Sequence, residues 1–211
     1  MTFQQALDKY FKFRNDPEQD NLPILARGRY KYGQQGDYGR NALARVMGEL
    51  GFREGVEIGT FLGSSAIMWC EANSQLHLTC VDPYAPYRAR PSQSVQDSNY
   101  RRACRKLAKY NAEIIREPSM AVVDRFADGS LDFINIDGDH TFDACVLDIV
   151  RWVPKVRQGG VVVIHDYCAF ERAGTMHAID SYTSCHRIDP WYVTGDSLPS
   201  VFWQRGAERA G

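Results

Sequence analysis

A chain of 211 residues, 44% hydrophobic and 24% charged, has room for one domain with a substantial core and is short for two. Its 25 basic and 26 acidic residues leave a formal net charge of -1, which gives no electrostatic reason to expect nucleic acid or an anionic membrane as partner. No apolar run nears the ~20 residues that a spanning helix needs. Met1 to Tyr10 lacks a hydrophobic signal core, and the cysteines at 70, 80, 104, 145, 168 and 185 form no C-x-x-C pair. They read as reduced, buried small hydrophobes, and the expected location is cytoplasmic.

Residues 1–40 are expected to form a short helix at 3–13 followed by an irregular arm or lid. The stretch Asn15-Asp16-Pro17-Glu18-Gln19-Asp20 is polar, and Gly28, Gly33, Gly36 and Gly39 interleave with Tyr30, Tyr32 and Tyr38. Such an arm is either a packed extension or a cover over a ligand. From residue 41 onward the pattern is regular. Leu43, Val46, Met47 and Leu50 have helical spacing, with Gly51 as the stop. Strands are expected at 55–59, 76–81, around Ile114-Ile115, at 131–137 and from Gly159-Gly160. Helices are expected at 64–71, along the Tyr100, Ala103, Leu107 and Tyr110 face, at 120–126, along Phe142, Val146, Ile149 and Val153, and near 174–184. Two β segments, Trp191–Thr194 and Val201–Gln204, flank a turn and should form an antiparallel hairpin. Alternating strands and helices define an α/β fold with a mostly parallel sheet covered on both faces.

Chemistry concentrates where two buried strands should end. Ile134 and Ile136 lead into Asp137-Gly138-Asp139-His140, and Val161-Val162-Val163-Ile164 leads into His165-Asp166. Ligands of open α/β sheets bind outside the carboxyl ends of the strands. Acids and histidines massed there have no packing value, because burying them unpaired is costly. A glycine loop, Gly59-Thr60-Phe61-Leu62-Gly63, links the first strand to its helix in a G-x-x-x-G spacing, not the G-x-G-x-x-G of dinucleotide dehydrogenases. Asp82 closes the second strand at the distance where an acid grips ribose hydroxyls. Together with Glu57, these features point to a nucleoside-type ligand.

Glu57-x-Gly59-x-x-x-Gly63, Asp82-Pro83-Tyr84, Asp137-Gly138-Asp139-His140 and His165-Asp166-Tyr167 resemble the class I S-adenosylmethionine-dependent methyltransferases. The similarity is greatest to the small branch of catechol and macrolide-sugar O-methyltransferases, and it runs from about residue 41 to 204. Residues 41–211 would then be the methyltransferase domain. The resemblance implies a doubly wound, Rossmann-like sheet of seven strands with a reversed last strand. It places Glu57 and Gly59 near the methionine portion of the cofactor, with Gly63 in the same loop, Ser65 at its carboxylate, Asp82 at the ribose and Ser119 at the adenine. Asp137 is shared between the cofactor side and the metal.

In metal-dependent relatives, groups matching Asp137, His165 and Asp166 hold a divalent cation, with magnesium or manganese expected ahead of iron or zinc. Asp139 or His140 would take the proton of the acceptor hydroxyl, Asp139 being favoured by the D-G-D pattern of the sugar enzymes. The catechol-type enzymes carry lysine where this chain has His140, and many relatives carry an acid where it has His165. An imidazole in the set weakens a magnesium preference. His140, His165 and one aspartate make an alternative two-histidine, one-carboxylate site, and a metal-free enzyme is a further alternative.

The expected activity is methylation of a small hydroxylated molecule. Two rivals are a metal-dependent oxygenase or hydrolase using the same crevice and a non-catalytic nucleoside- or RNA-binding module. The second would use Arg101, Arg102, Arg105, Lys106 and Lys109, which otherwise read as a solvated helix face. The proline-punctuated loop Tyr84–Pro91 is either a substrate wall or a long connection. Trp191, Tyr192, Phe202 and Trp203 are read as core or as the surface of a homo-oligomer.

Overall fold

The computed structural model describes residues 1–11, 39–87, 91–168 and 174–206. Most of the glycine- and tyrosine-rich arm, with Tyr30, Tyr32 and Tyr38, lies outside these residues, as do Arg88 and Arg90. Helix α1 (Phe3–Tyr10) begins at a Thr2–Gln5 capping box, which satisfies backbone donors at its first turn. It is followed by α2 (Arg40–Glu49), β1 (Glu54–Ile58), α3 (Ser64–Ala72), β2 (His77–Val81), α4 (Gln93–Leu107) and β3 (Ala112–Ile115). The second half comprises α5 (Ser119–Val122), β4 (Leu131–Ile136), α6 (Phe142–Trp152), β5 (Val156–Ile164), α7 (Thr175–Cys185), β6 (Tyr192–Val193) and β7 (Val201–Gln204).

The seven strands form one sheet in the order β3-β2-β1-β4-β5-β7-β6. The first five run parallel, whereas β7 pairs antiparallel with both β5 and β6. This is a doubly wound α/β architecture of seven strands with a reversed last strand, as the resemblance implies. Alternation along the strands divides the core in two. Val56, Ile58, Ile134, Ile136, Val162 and Ile164 face α6 and α7. Phe133, Val161, Val163, Leu78 and Cys80 face α1, α2 and α3. Parallel strands buried on both faces need this near-continuous apolar composition.

Three details depart from the periodicity. β5 starts at Val156, not at Gly159-Gly160, because its pairing with β4 jumps from Leu131↔Val156 to Phe133↔Val161. The extra residues bulge out, where Arg157 Nε bonds Asp132 at 2.7 Å. The buried face of α4 is Gln96, Asn99, Ala103 and Leu107, and the helix ends before Tyr110. Tyr100 instead packs edge-on against Tyr84 and under the Arg116 guanidinium. The segment expected to be helical over 120–126 is a single α turn followed by a 3₁₀ turn, Val123–Arg125.

All six cysteines are free; Cys70, Cys80 and Cys145 are buried while Cys185 is exposed. Tyr192, Phe202 and Trp203 belong to the core. No helix among the described residues is long and apolar enough to cross a membrane. The Phe202 ring joins the C-terminal strands to the N-terminus, 5.7 Å from Phe11 and 5.2 Å from Tyr192 by centroid. Truncating it leaves a cavity that neither rigid neighbour can fill. Phe202→Ala should cost about 3–5 kcal/mol in urea unfolding.

Candidate active site

Four parallel strands end level with one another, and the ladder runs one residue beyond each. Asp82 N donates to Ile115 O at 3.2 Å, Gly59 N to Val81 O at 2.9 Å, Asp137 N to Ile58 O at 2.8 Å, and His165 N to Ile136 O at 2.9 Å. These bonds bring Asp82, Gly59, Asp137 and His165 to the same rim of the sheet. Gly59 has φ +86°, and a Cβ there would lie 1.9 Å from the Asp137 carbonyl oxygen. The glycine is required by the approach of the two strand ends to each other, whatever ligand lies above them.

Glu57 is fully buried beneath this rim. Its Oε2 accepts from Trp69 Nε1 and from Asn135 Nδ2, both at 3.1 Å. Ser65 lies beside the carboxylate, close enough to favour its charge, yet Oε1 has no hydrogen-bond donor among the described residues. Burial pushes the Glu57 carboxyl from its ordinary 4.5 up to about 7, against the pull of Ser65, Asn135 and Trp69. An unanswered buried carboxylate oxygen is costly unless a cationic donor reaches it.

Asp82 ties two loops together. Its Oδ2 accepts from Phe61 N at 2.9 Å and its Oδ1 from Tyr84 N at 2.8 Å. Phe61 and Tyr84 both have positive φ, at 47° and 46°, and the Tyr84 hydroxyl donates to Phe61 O at 3.0 Å. Left-handed backbone at bulky residues costs roughly 1–3 kcal/mol each and persists where surroundings over-determine it. A carboxylate oxygen can accept more than one hydrogen, so this clamp leaves Asp82 able to take hydroxyl donors. Gly63 (φ +73°) opens α3, whose N-terminal N–H groups face the same loop. Ser119 opens α5 and donates to Asp148 Oδ1 at 2.6 Å.

The second wall is an ionic cluster. His140 Nε2 lies 3.1 Å from Asp166 Oδ2 and 3.8 Å from Asp137 Oδ1. His165 Nδ1 lies 3.2 Å from Asp137 Oδ1 and 2.9 Å from Asp166 Oδ1. Ligand atoms of Asp137, His140 and Asp166 all lie within 4.8 Å of one another, a spacing that suits one metal ion. Asp166 adopts φ +58°, a conformation an aspartate tolerates better than most residues. Burial alone would raise Asp137, but the two imidazoles outweigh it and hold its carboxyl below the ordinary range. His140 is raised chiefly by Asp137. For His165, burial works to lower the pKa, yet the Asp137 and Asp166 carboxylates carry it up to about 9.

Asp139 stands apart from that cluster: it is exposed, and its Oδ1 accepts from Thr141 N at 2.9 Å. Three further residues bear on the site. Arg40, the first residue of α2, brings Nη1 to 3.9 Å from Asp137 Oδ2, and no local pattern in the sequence announces it. Asn135 and Asp148 leave a faint signal, since each is a polar residue inside an otherwise apolar run.

Comparison with known proteins decides the family. Residues 56–167, more than half of the chain, match the family described as a methyltransferase domain. The chain belongs to this methyltransferase family. Among solved structures it is similar to the O-methyltransferase TomG of Streptomyces achromogenes, involved in tomaymycin synthesis and determined with SAM. That match has 14% identity over 97% of this chain and 88% of TomG, with TM-score 0.57. An O-methyltransferase from Bacillus cereus in complex with SAH matches at 15% identity over 95% of this chain and 88% of its own, TM-score 0.55. An SAH-bound Podospora anserina methyltransferase matches at 15% identity over 80% and 78% of the two chains, TM-score 0.56. At such identities the likeness concerns fold alone.

The titration of Glu57 has a consequence for this methyltransferase's stability. Because the folded pKa lies above the unfolded one, its contribution is present below pH 4.5 and lost as pH rises to about 7. Urea unfolding of the wild type and of Glu57→Gln should therefore diverge by about 3 kcal/mol across that window, with the variant gaining on the wild type.

Proposed function

We propose that the protein transfers a methyl group from S-adenosylmethionine to a hydroxyl oxygen of a small acceptor, assisted by a divalent cation. The observation that carries this reading is Glu57 Oε1, a buried carboxylate oxygen with no donor among the described residues, beneath the strand-end rim that also carries the Asp137, His140 and Asp166 cluster. An ammonium group, such as that of the cofactor's methionine portion, answers the oxygen. Ser65 and the α3 N-terminus would receive its carboxylate, with Gly59 and Gly63 shaping the loop beneath. Asp82 would take the ribose hydroxyls, and the start of α5, at Ser119, the base.

When bound, the cofactor supplies a sulfonium methyl, and the S–CH₃ bond breaks as the acceptor O–CH₃ bond forms. Orientation dominates such an in-line displacement. Asp137 and Asp166 are the carboxylates suited to the cation, with His140 the imidazole grouped with them and His165 in contact with both acids. A divalent ion there would lower the pKa of a coordinated hydroxyl. With imidazole in the set, manganese should bind ahead of magnesium. The hydroxyl proton goes to Asp139. Action in the cytoplasm on a small-molecule acceptor, without membrane or nucleic acid, fits this reading.

A second reading drops the cation. Arg40 and His165 already set positive groups against Asp137 and Asp166. His140 would then be the base, oriented by Asp166.

Calorimetry should give micromolar binding of S-adenosylhomocysteine. Affinity should fall about tenfold for each pH unit below 7 as Glu57 takes up its proton, and Glu57→Gln should abolish that pH dependence along with most of the affinity. Absence of binding at any pH would refute the cofactor assignment. For the cation, Asp166→Ala should lose manganese binding while keeping cofactor affinity within a few-fold. Full methyl transfer by chelator-treated protein would select the metal-free reading.

A further inference from the structure

Arg40 presents more hydrogen-bond donors than the protein answers. Its guanidinium reaches the strand-end rim with 28% of the side chain exposed, and its one polar contact among the described residues is Nη1 to Asp137 Oδ2 at 3.9 Å. That separation is a charge contact, too long for a hydrogen bond. A guanidinium carries its N–H donors in a planar fork, and withdrawing them from water without acceptors is costly. The backbone beneath the side chain is nevertheless held in place. Asp196, in the turn between β6 and β7, accepts from Arg40 N at 2.8 Å and so caps α2, whose own N-cap Gly39 has no side chain to do it. A Cβ at Gly39 would collide with the same Asp196 carboxylate. Charge points the same way as the hydrogen bonds. A divalent cation between Asp137 and Asp166 would neutralise both carboxylates and leave the Arg40 charge without its partner.

We propose that Arg40 reads the methyl acceptor, its guanidinium fork pairing with a carboxylate that the acceptor carries close to the hydroxyl to be methylated. This rests on the methyl-transfer reading above and names the substrate class: a hydroxy acid, not a neutral alcohol or phenol. The guanidinium stands beside Asp137, so the carboxylate and the reacting hydroxyl lie within a few bonds of each other. A guanidinium matches a carboxylate in charge and in the geometry of two parallel N–H···O bonds. A phosphate dianion would bring a surplus negative charge up to Asp137 and Asp166. Asp196 is the positioning residue. It fixes the first turn of α2 and with it the point from which the Arg40 side chain starts. A site with unanswered donors discriminates against a ligand that lacks the matching oxygens.

The test is calorimetry on the full chain, with manganese and S-adenosylhomocysteine present, against 2-hydroxybenzoate and phenol, which differ only in the carboxylate. The wild type should bind the acid about tenfold more tightly than phenol, the worth of a charge-assisted pair. Arg40→Gln should lose most of that preference while phenol and S-adenosylhomocysteine keep their affinities within a few-fold. Arg40→Lys keeps the charge without the fork and should retain only part of it. Asp196→Ala should lessen the preference, whereas Asp196→Asn, whose amide oxygen still accepts from Arg40 N, should preserve it. That pair gives a readout if Arg40→Gln does not fold. A merely structural role for Arg40 would weaken acid and phenol alike and overturns the proposal. So does a wild type that binds the acid no better than phenol, or a preference that survives in folded Arg40→Gln. Tighter binding of phenyl phosphate than of 2-hydroxybenzoate overturns the choice of carboxylate. S-adenosylhomocysteine binding in the same samples leaves the cofactor assignment standing in each of these cases. An Arg40-dependent acid preference without S-adenosylhomocysteine binding refutes the cofactor assignment alone.

Discussion

The parallel hydrogen-bond ladder holds β2, β1, β4 and β5 level, so that the residues just past their ends share one rim. Each backbone amide that continues the ladder, from Gly59, Asp137 and His165, does so at the point where the chain turns away into a loop. The constraint is tight enough that β1 and β4 tolerate no side chain at position 59. A one-residue slip in a strand would reverse which face each side chain occupies and would carry Glu57 from the α3 side of the sheet to the α6 side. Register therefore comes before electrostatics here.

Above that rim the charges are arranged in two ways. Glu57 and Asp148 are buried acids on opposite faces of the sheet, each with one oxygen satisfied by side-chain donors and one that meets no donor among the described residues. Desolvation raises both, and such groups are stable in a fold only when the cost is balanced elsewhere or answered by a ligand. Asp137 and Asp166 are instead held among His140, His165 and Arg40, where opposite charges meet at 2.9–3.9 Å. Open acceptors suit N–H donors of an organic cofactor. A cluster of carboxylates and imidazoles suits exchange of protons for a metal, because the same lone pairs serve both.

Much of the fold was legible because its signals are local. The apolar runs of β4 and β5 and the helical spacing of Leu43, Val46 and Met47 do not depend on distant residues. The antiparallel end of the sheet followed from the short turn between its last two strands. Periodicity misleads where tertiary packing competes with it. Tyr100 has the spacing of a buried residue but packs against Arg116 and Tyr84, because Gln96 and Asn99 turn inward, Gln96 donating to the Ala85 carbonyl and accepting from Asn99. The early start of β5 was hidden by a bulge whose polar residues, Arg157 and Gln158, look like a loop.

Of the site, the residue types and their chain positions were determined by sequence alone. The acids and histidines at 137–140 and 165–166 and the acids at 57 and 82 are visible as polar breaks after apolar runs, since strand ends are where such breaks fall. Which atoms meet was decided only by tertiary structure: that His140 reaches Asp166, that Arg40 arrives beside Asp137 from a helix nearly a hundred residues away, and that Glu57 and Asp148 each keep an oxygen with no donor among the described residues. Hydrogen bonding and charge pairing depend on ångström-scale separations, and those are set by how the strands register and the helices pack across the sheet.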